Sequence, residues 1–140
     1  MTALYALNVG GPGPATDELD PREREAAERG SALYLTHCAE CHGSRLEGQP
    51  HWKHRRPDGT YPAPPHDETG HTWHHPDWQL RSIIREGGQA RATAGFRSGM
   101  PAFGDKLNDE EIDAVLAFIK SYWPPEIRRR QEEANRGRHP

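Results

Sequence analysis

Cys38-Ala39-Glu40-Cys41-His42 is the stretch of this 140-residue chain that decides its fold. The five residues match the pattern C-x-x-C-H, the attachment signature of c-type haem, in which each thiol adds to a haem vinyl group and the adjacent histidine ligates the iron. Two residues between the cysteines let the chain make one turn beneath the porphyrin edge, so both sulfurs and the imidazole reach the cofactor. The motif predicts covalent anchors at Cys38 and Cys41 and a proximal iron ligand at His42.

A bare Cys-x-x-Cys pair also occurs in redox-active dithiols and in zinc sites. A zinc site needs further thiolates or a well-spaced histidine pair, and a thioredoxin-like motif expects a βαβ pattern around it. The sequence shows neither context, and its two cysteines are too few for a disulfide-rich scaffold. We therefore expect haem attachment, with a redox dithiol and half of a zinc site as the alternatives.

Signals for three helices surround the motif. An Asp-Pro-x-Glu capping pattern at residues 20–23 predicts a helix over about 21–37. Apolar residues on one face and a glycine stop predict a second helix over about 76–86. The third and strongest, over about 109–123, follows an Asn-x-x-Glu cap pair and ends at two prolines. No strand pattern or repeat is visible, so we expect an all-α protein.

The rest of the chain is expected to form loops and tails. Residues 43–75 and 89–107 lack a sustained apolar period, so we expect them to be irregular. We expect residues 1–19 to form an extended N-terminal arm, residues 20–125 one small domain, and residues 126–140 a charged C-terminal helix or tail.

No run approaches the ~18 consecutive apolar residues of a membrane span. Only 33% of the residues are apolar, so the core is thin and a cofactor is expected to complete it.

Met100 is the expected second axial ligand. It lies in Ser98-Gly99-Met100-Pro101, an irregular segment just before the last predicted helix, and Met1 is the other methionine of the chain. A lone methionine more often fills a gap in a core. This one lies between glycine and proline, outside any amphipathic period. Because Met/His is the usual axial pair of electron-transfer cytochromes c, we expect Met100 on the distal side of the iron.

The order helix, C-x-x-C-H, long loop, helix, Gly-Met-Pro, terminal helix resembles the bacterial monohaem class I cytochromes c, over roughly residues 21–123. The resemblance implies an all-α class I cytochrome c fold, with three to four helices around one covalently bound haem c and long loops. It also implies an electron carrier rather than an enzyme. In that family the first and last helices cross at a small residue and aromatics, which Gly30 and Tyr34 would supply opposite Phe118 and Tyr122.

The family also has a proline after the attachment motif, whose carbonyl accepts the Nδ1–H of the proximal histidine. Such a bond orients the imidazole and raises its basicity. Pro64, in Ala63-Pro64-Pro65-His66, is the expected counterpart. Its separation from His42 is longer than is usual in the family.

Eight of the nine histidines fall between His37 and His75, several of them in Gly70-His71-Thr72-Trp73-His74-His75. Such a density of imidazoles suggests a copper or zinc site. The other interpretation is a polar loop over the haem edge, and a similar segment in some bacterial monohaem cytochromes favours it. In that interpretation Trp73 is the expected contact to a haem propionate. His74 is the candidate to replace Met100 if the iron is bis-histidine.

The formal net charge of −3 is unevenly distributed. Residues 41–56 and 76–107 carry +3 and +2, whereas residues 1–40 and 108–125 carry −4 and −3. The segments that hold the attachment motif and Met100 are therefore basic, and the predicted first and last helices are acidic. We expect a molecular dipole that presents a weakly positive haem edge to an acidic partner. Scattered solvated charge is the alternative interpretation.

Together these features predict an electron-transfer protein with one haem c, shuttling electrons in the periplasm or on the extracytoplasmic side of the membrane. The expected partners are redox proteins such as a terminal oxidase or an upstream dehydrogenase or reductase complex, with no nucleic acid and no membrane span in this chain. One alternative is a haem protein whose labile Met100 opens the iron to a small ligand or to peroxide, with His74 or His75 as acid or base. The other is a His-rich copper-binding module.

Overall fold

The computed structural model describes residues 18–137, so most of the expected N-terminal arm and residues 138–140 lie outside the described residues. Within 18–137 the chain forms five α-helices and no strand, and the all-α prediction is confirmed. The helices are α1 Pro21–His37, α2 Ala39–His42, α3 Asp77–Glu86, α4 Asp109–Lys120 and α5 Pro125–Arg136, with a 3₁₀ turn at Thr72–His74. This is one helix more than expected, because the attachment motif itself forms the four-residue α2. None of these helices is long and apolar enough to cross a membrane.

The two longest predicted helices begin at reciprocal caps, as the sequence indicates. Asp20 Oδ1 accepts the backbone N–H groups of Arg22 and Glu23 at 2.8 and 2.9 Å, and the Glu23 carboxylate accepts the Asp20 N–H at 3.1 Å. Asn108 and Glu111 make the same exchange at the start of α4. Each cap satisfies helix donors that would otherwise lack partners, worth about 1 kcal/mol. The helix α4 ends at Lys120, where a turn precedes the two prolines.

Helices α1 and α4 cross at Gly30, as the family resemblance implies. A Cβ built on Gly30 would lie 1.8 Å from the Ala114 carbonyl oxygen, so only glycine fits there. One turn further along α1, the Tyr34 ring packs on Phe118 with centroids 4.9 Å apart, and Phe118 meets Tyr122 edge-on at 5.4 Å. This crossing sets the position of Cys38, which follows α1 directly.

The core lies between this crossing and α3. Its buried members are mostly aliphatic and aromatic side chains from α1, α3, α4 and the loops that join them: Tyr34, Leu46, Leu80, Ile84, Phe103, Leu107, Ile112, Val115, Leu116, Phe118, Ile119 and Trp123. Half-buried side chains border this cluster, among them Cys38, Trp73 and Met100. Three of the residues expected at the haem site therefore lie against one continuous apolar surface.

Helix α5 docks onto the 3₁₀ turn and the start of α3 through polar contacts. Gln131 is buried, and its Nε2 donates to Asp77 Oδ1 at 2.7 Å and to the His75 carbonyl at 3.2 Å. Lys120 pairs with the same Asp77 carboxylate at 2.7 Å. Residues 125–136 are thus held against the loop that precedes α3.

Candidate haem site

The attachment motif lies on a single tight turn. Cys38 ends α1, donating its N–H to the Tyr34 carbonyl at 2.8 Å, and its own carbonyl accepts the His42 N–H at 2.9 Å. Cys38 is half-buried, Cys41 is exposed, and neither forms a disulfide in the described chain. The His42 residue is buried, with 7% of its surface exposed. Two free thiols and one buried imidazole therefore project from one helical turn.

The His42 ring is held in the protonation state that a metal ligand requires. Its Nδ1 lies 2.9 Å from the Pro64 carbonyl oxygen, which can only accept, so Nδ1 carries the proton. Burial lowers the pKa of His42, and the bond to Pro64 opposes that shift only in part. The ring is neutral at pH 7, and Nε2 keeps the lone pair that a metal ligand needs.

The long loop between His42 and Pro64 reaches this geometry because its two ends are tied together. Gly48 donates to the His42 carbonyl at 2.7 Å, and Gln49 donates to the Ala63 carbonyl at 2.9 Å. A side chain at Gly48, whose φ is +70°, would lie 2.5 Å from Pro65 N. Residues 50–62 therefore bulge outward from a closed stem, and the extra loop length leaves Pro64 beside His42.

His66 is the residue that sequence reasoning missed on this side of the site. Its ring stacks on the His42 ring with centroids 4.0 Å apart and planes 30° apart. Its Nδ1 lies 2.6 Å from Thr72 Oγ1. Burial, and then the neighbouring His42, hold the pKa of His66 well below its usual range, so this ring is neutral as well. The available signal was its position directly after Pro64-Pro65.

Met100 is half-buried against the core, on a segment that is hydrogen-bonded to the end of α3 and the residues that follow it. Its N–H donates to Ser98 Oγ at 3.1 Å, and its carbonyl accepts the Gly88 N–H at 3.2 Å. Three residues further on, Phe103 donates to the Ile84 carbonyl at 2.9 Å. The backbone on both sides of the thioether is thus fixed, which suits a ligand carried on a loop.

The structure gives Trp73 a partner within the protein and leaves another tryptophan without one. Trp73 Nε1 donates to the Glu68 carbonyl at 3.2 Å, and its ring stacks on His74 at 3.7 Å. Within residues 18–137, Trp78 Nε1 is the buried side-chain donor that lacks a partner, and the Arg91 guanidinium lies 5.6 Å from the Trp78 ring. A free indole N–H beside a cation fits a carboxylate such as a haem propionate. The donor set of the chain thus fits haem, through a residue that sequence reasoning did not single out.

The structure lends no support to the other interpretations of the motif and the histidines. Burial, and then the charge of Cys41, raise the pKa of Cys38 to about 11, whereas reactive dithiols depend on a lowered thiol pKa. No group of three or more His, Cys, Asp or Glu side chains within 18–137 could hold a metal ion. His71 and His74 approach each other at 5.3 Å, but no third ligand joins them in that part of the chain.

An all-α fold with this element order, a Cys-x-x-Cys-His turn and a methionine loop on the same core defines a c-type cytochrome. The chain belongs to the Cytochrome c family, whose model matches residues 27–123. The resemblance inferred from the sequence is confirmed. The cofactor of this family is a covalently attached haem c, and Cys38 and Cys41 supply its attachment pattern. The protein is therefore a haem-containing electron-transport protein.

One relative of the chain is named as a subunit of a dehydrogenase. Over 102 residues the chain is 29% identical to the gluconate 2-dehydrogenase cytochrome c subunit of Pantoea cypripedii. The match covers 69% of this chain and 20% of that subunit, so the chain spans about a fifth of the length of the relative. No solved structure gives a significant match.

Proposed function

We propose that the chain is a one-electron carrier, with haem iron held between His42 and Met100, which works in the periplasm or on the extracytoplasmic side of the membrane. The observation that carries the proposal is the buried, neutral His42 ring, held by Pro64 with Nε2 free to bind a metal. The location rests on covalent haem attachment, which in this family takes place outside the cytoplasm. The partners would be a dehydrogenase or reductase complex, in line with the relative from Pantoea, and an acceptor such as a terminal oxidase.

The protein residues have separate tasks in such a carrier. When bound, haem supplies an iron atom that cycles between the ferrous and ferric states. Pro64 orients His42 and raises its basicity, because the carbonyl oxygen draws the Nδ1 proton toward itself and leaves more electron density on the ring. A neutral thioether at Met100 favours the ferrous state and raises the potential. The core cluster that borders Cys38 and Met100 keeps water away, so little reorganisation accompanies electron transfer.

Variants at the two candidate distal ligands test this axial assignment. The ferric holoprotein should be low-spin with a sulfur-to-iron charge-transfer band, and Met100→Ala should lose that band. His74→Ala is the matched control, because His74 is exposed and stacks on Trp73; it should keep the band. High-spin ferric iron that binds cyanide readily in the unmodified protein would contradict the carrier and support a ligand-binding or peroxide-reducing protein.

A cationic patch next to the Met100 segment would receive the partner. The loops 51–61 and 91–97 are joined where Arg55 donates to the Gly95 carbonyl at 2.9 Å and where Tyr61 stacks on Phe96 at 5.2 Å. Phe96 is 39% exposed. The exposed cations that define the patch are Arg55, Arg56 and Arg97, which the contacts between these two loops bring beside it. An apolar centre with a basic rim suits a partner with an acidic surface.

The dependence of the electron-transfer rate on ionic strength distinguishes the effect of this patch from the effect of the net charge of the chain. Ferricyanide serves as the anionic oxidant of the ferrous holoprotein. With a net charge of −3 the chain as a whole repels this anion. Because salt screens that repulsion, the rate of oxidation by ferricyanide would rise with salt. A local cationic patch gives a rate that falls with salt. The double variant Arg56→Glu/Arg97→Glu should abolish that fall, and the exposed α5 control Arg129→Glu/Arg136→Glu, with the same change of net charge, should preserve it. A rate in the unmodified protein that rises with salt would refute the patch.

A further inference from the structure

His66 is tied to the protein at four points around the proximal histidine. Its N–H donates to the Leu46 carbonyl at 2.8 Å, and its own carbonyl accepts from Trp123 Nε1 at 2.8 Å. Its ring nitrogen Nδ1 meets Thr72 Oγ1 at 2.6 Å, and its ring face lies on His42. Leu46 and Trp123 are fully buried, so the backbone of His66 rests on the rigid core.

The stack supplies a restraint that the bond to Pro64 lacks. A hydrogen bond at Nδ1 holds one atom of the His42 imidazole and directs it toward the carbonyl oxygen. Tilting and rotation of the ring about that bond remain possible. A flat ring with its centroid 4.0 Å away blocks such motion on one face, because any turn of His42 toward it brings atoms into overlap.

We propose that His66 is a positioning residue for the proximal ligand: its stacked ring fixes the rotational orientation of the His42 imidazole beneath the haem. The inference rests on the proposed function, in which His42 binds the iron. Two contacts restrain His66. Trp123, just after α4, bonds to its backbone, and Thr72 of the 3₁₀ turn bonds to its ring. The proximal ligand is thereby coupled to two elements that contribute no ligand themselves.

Ferric holoprotein variants report this orientation directly. The spread of the four haem methyl resonances in the proton NMR spectrum depends on the direction of the axial imidazole plane, and a merely structural residue would leave it unchanged. His66→Leu removes the flat ring and should change the spread. His66→Phe restores a flat ring without the ring nitrogens and should return the spread toward that of the unmodified protein. His54→Leu makes the same chemical change at an exposed histidine and is the matched control.

Thr72→Val keeps the size of the side chain and removes only the hydroxyl that meets His66. It should move the methyl spread in the same direction as His66→Leu and by less. If His66→Leu takes up no haem, Thr72→Val becomes the test of the proposal. A haem methyl spread of Thr72→Val equal to that of the unmodified protein would then overturn it. The proposal also fails if His66→Leu leaves the spread within the range of His54→Leu, or if His66→Phe departs as far as His66→Leu.

The proposed function and the positioning role of His66 are contradicted by different results. Absence of a c-type haem spectrum in the unmodified protein would defeat the proposed function. A low-spin His/Met haem protein whose methyl spread ignores His66 and Thr72 would leave that function intact and defeat only the positioning role.

Discussion

Replacing Gly30 by Ala is expected to destabilise the holoprotein by about 2 kcal/mol, because the new methyl group has no room at the α1–α4 crossing. Its carbon would lie 1.8 Å from the Ala114 carbonyl oxygen and 2.4 Å from the carbonyl carbon. Ordinary carbon–oxygen contacts are about 3.3 Å or more, so the helices must part by roughly 1.5 Å. Overpacking of a core costs about 1–3 kcal/mol, and backbone neighbours that cannot move aside place this site at the upper end. The higher helix propensity of alanine offsets about 1 kcal/mol of this cost.

Thermal unfolding of the ferric holoprotein, followed by far-ultraviolet circular dichroism, measures this loss. For a domain of this size about 2 kcal/mol corresponds to a fall in Tm of roughly 5–15 °C. Gly99→Ala is the matched control, since a Cβ at Gly99 meets nothing within 4 Å, and its Tm should stay close to that of the unmodified protein. A Gly30→Ala protein that melts at or above the unmodified temperature would refute the close crossing.

Two further predictions concern charge and cofactor. Burial alone would raise the pKa of Asp77, but Lys120 and Gln131 outweigh it and hold that pKa below its usual range. The carboxylate therefore contributes stability at neutral pH that is lost as pH falls through the lowered folded-state pKa. The stability difference between the unmodified protein and Asp77→Asn should shrink as urea unfolding is measured at successively lower acidic pH, and a constant difference would count against the ion pair. Chain produced without haem should lose most of its helical circular dichroism, because haem completes the thin core; full helix content in the haem-free chain would contradict this.

The parts of the fold that follow from sequence are those fixed by near neighbours. The start of α1 depends on residues 20–23, which carry both halves of the cap. The attachment turn depends on five consecutive residues. Pro64 depends on the family resemblance, and the structure places its carbonyl at His42 because Gly48 closes the long loop at its base.

The parts that sequence reasoning missed bring together distant segments. The His66 ring lies between residues 24 positions before it and 6 positions after it in the chain, and nothing in the local pattern pairs them. The docking of α5 rests on Gln131, a polar residue in a charged segment that has no apolar stripe to predict burial. The sequence analysis singles out Trp73 as the indole donor, and only tertiary contacts show that its Nε1 bonds to Glu68 whereas the buried Nε1 of Trp78 lacks a partner.

The most direct test of a His42/Met100 electron carrier is an anaerobic spectroelectrochemical titration of the purified holoprotein. We expect a c-type haem spectrum that changes in one reversible step with one electron, low-spin in both states, with the sulfur-to-iron band present in the ferric form. A protein with no c-type haem spectrum, or one whose iron is high-spin at pH 7, would contradict the proposal of a His42/Met100 electron carrier.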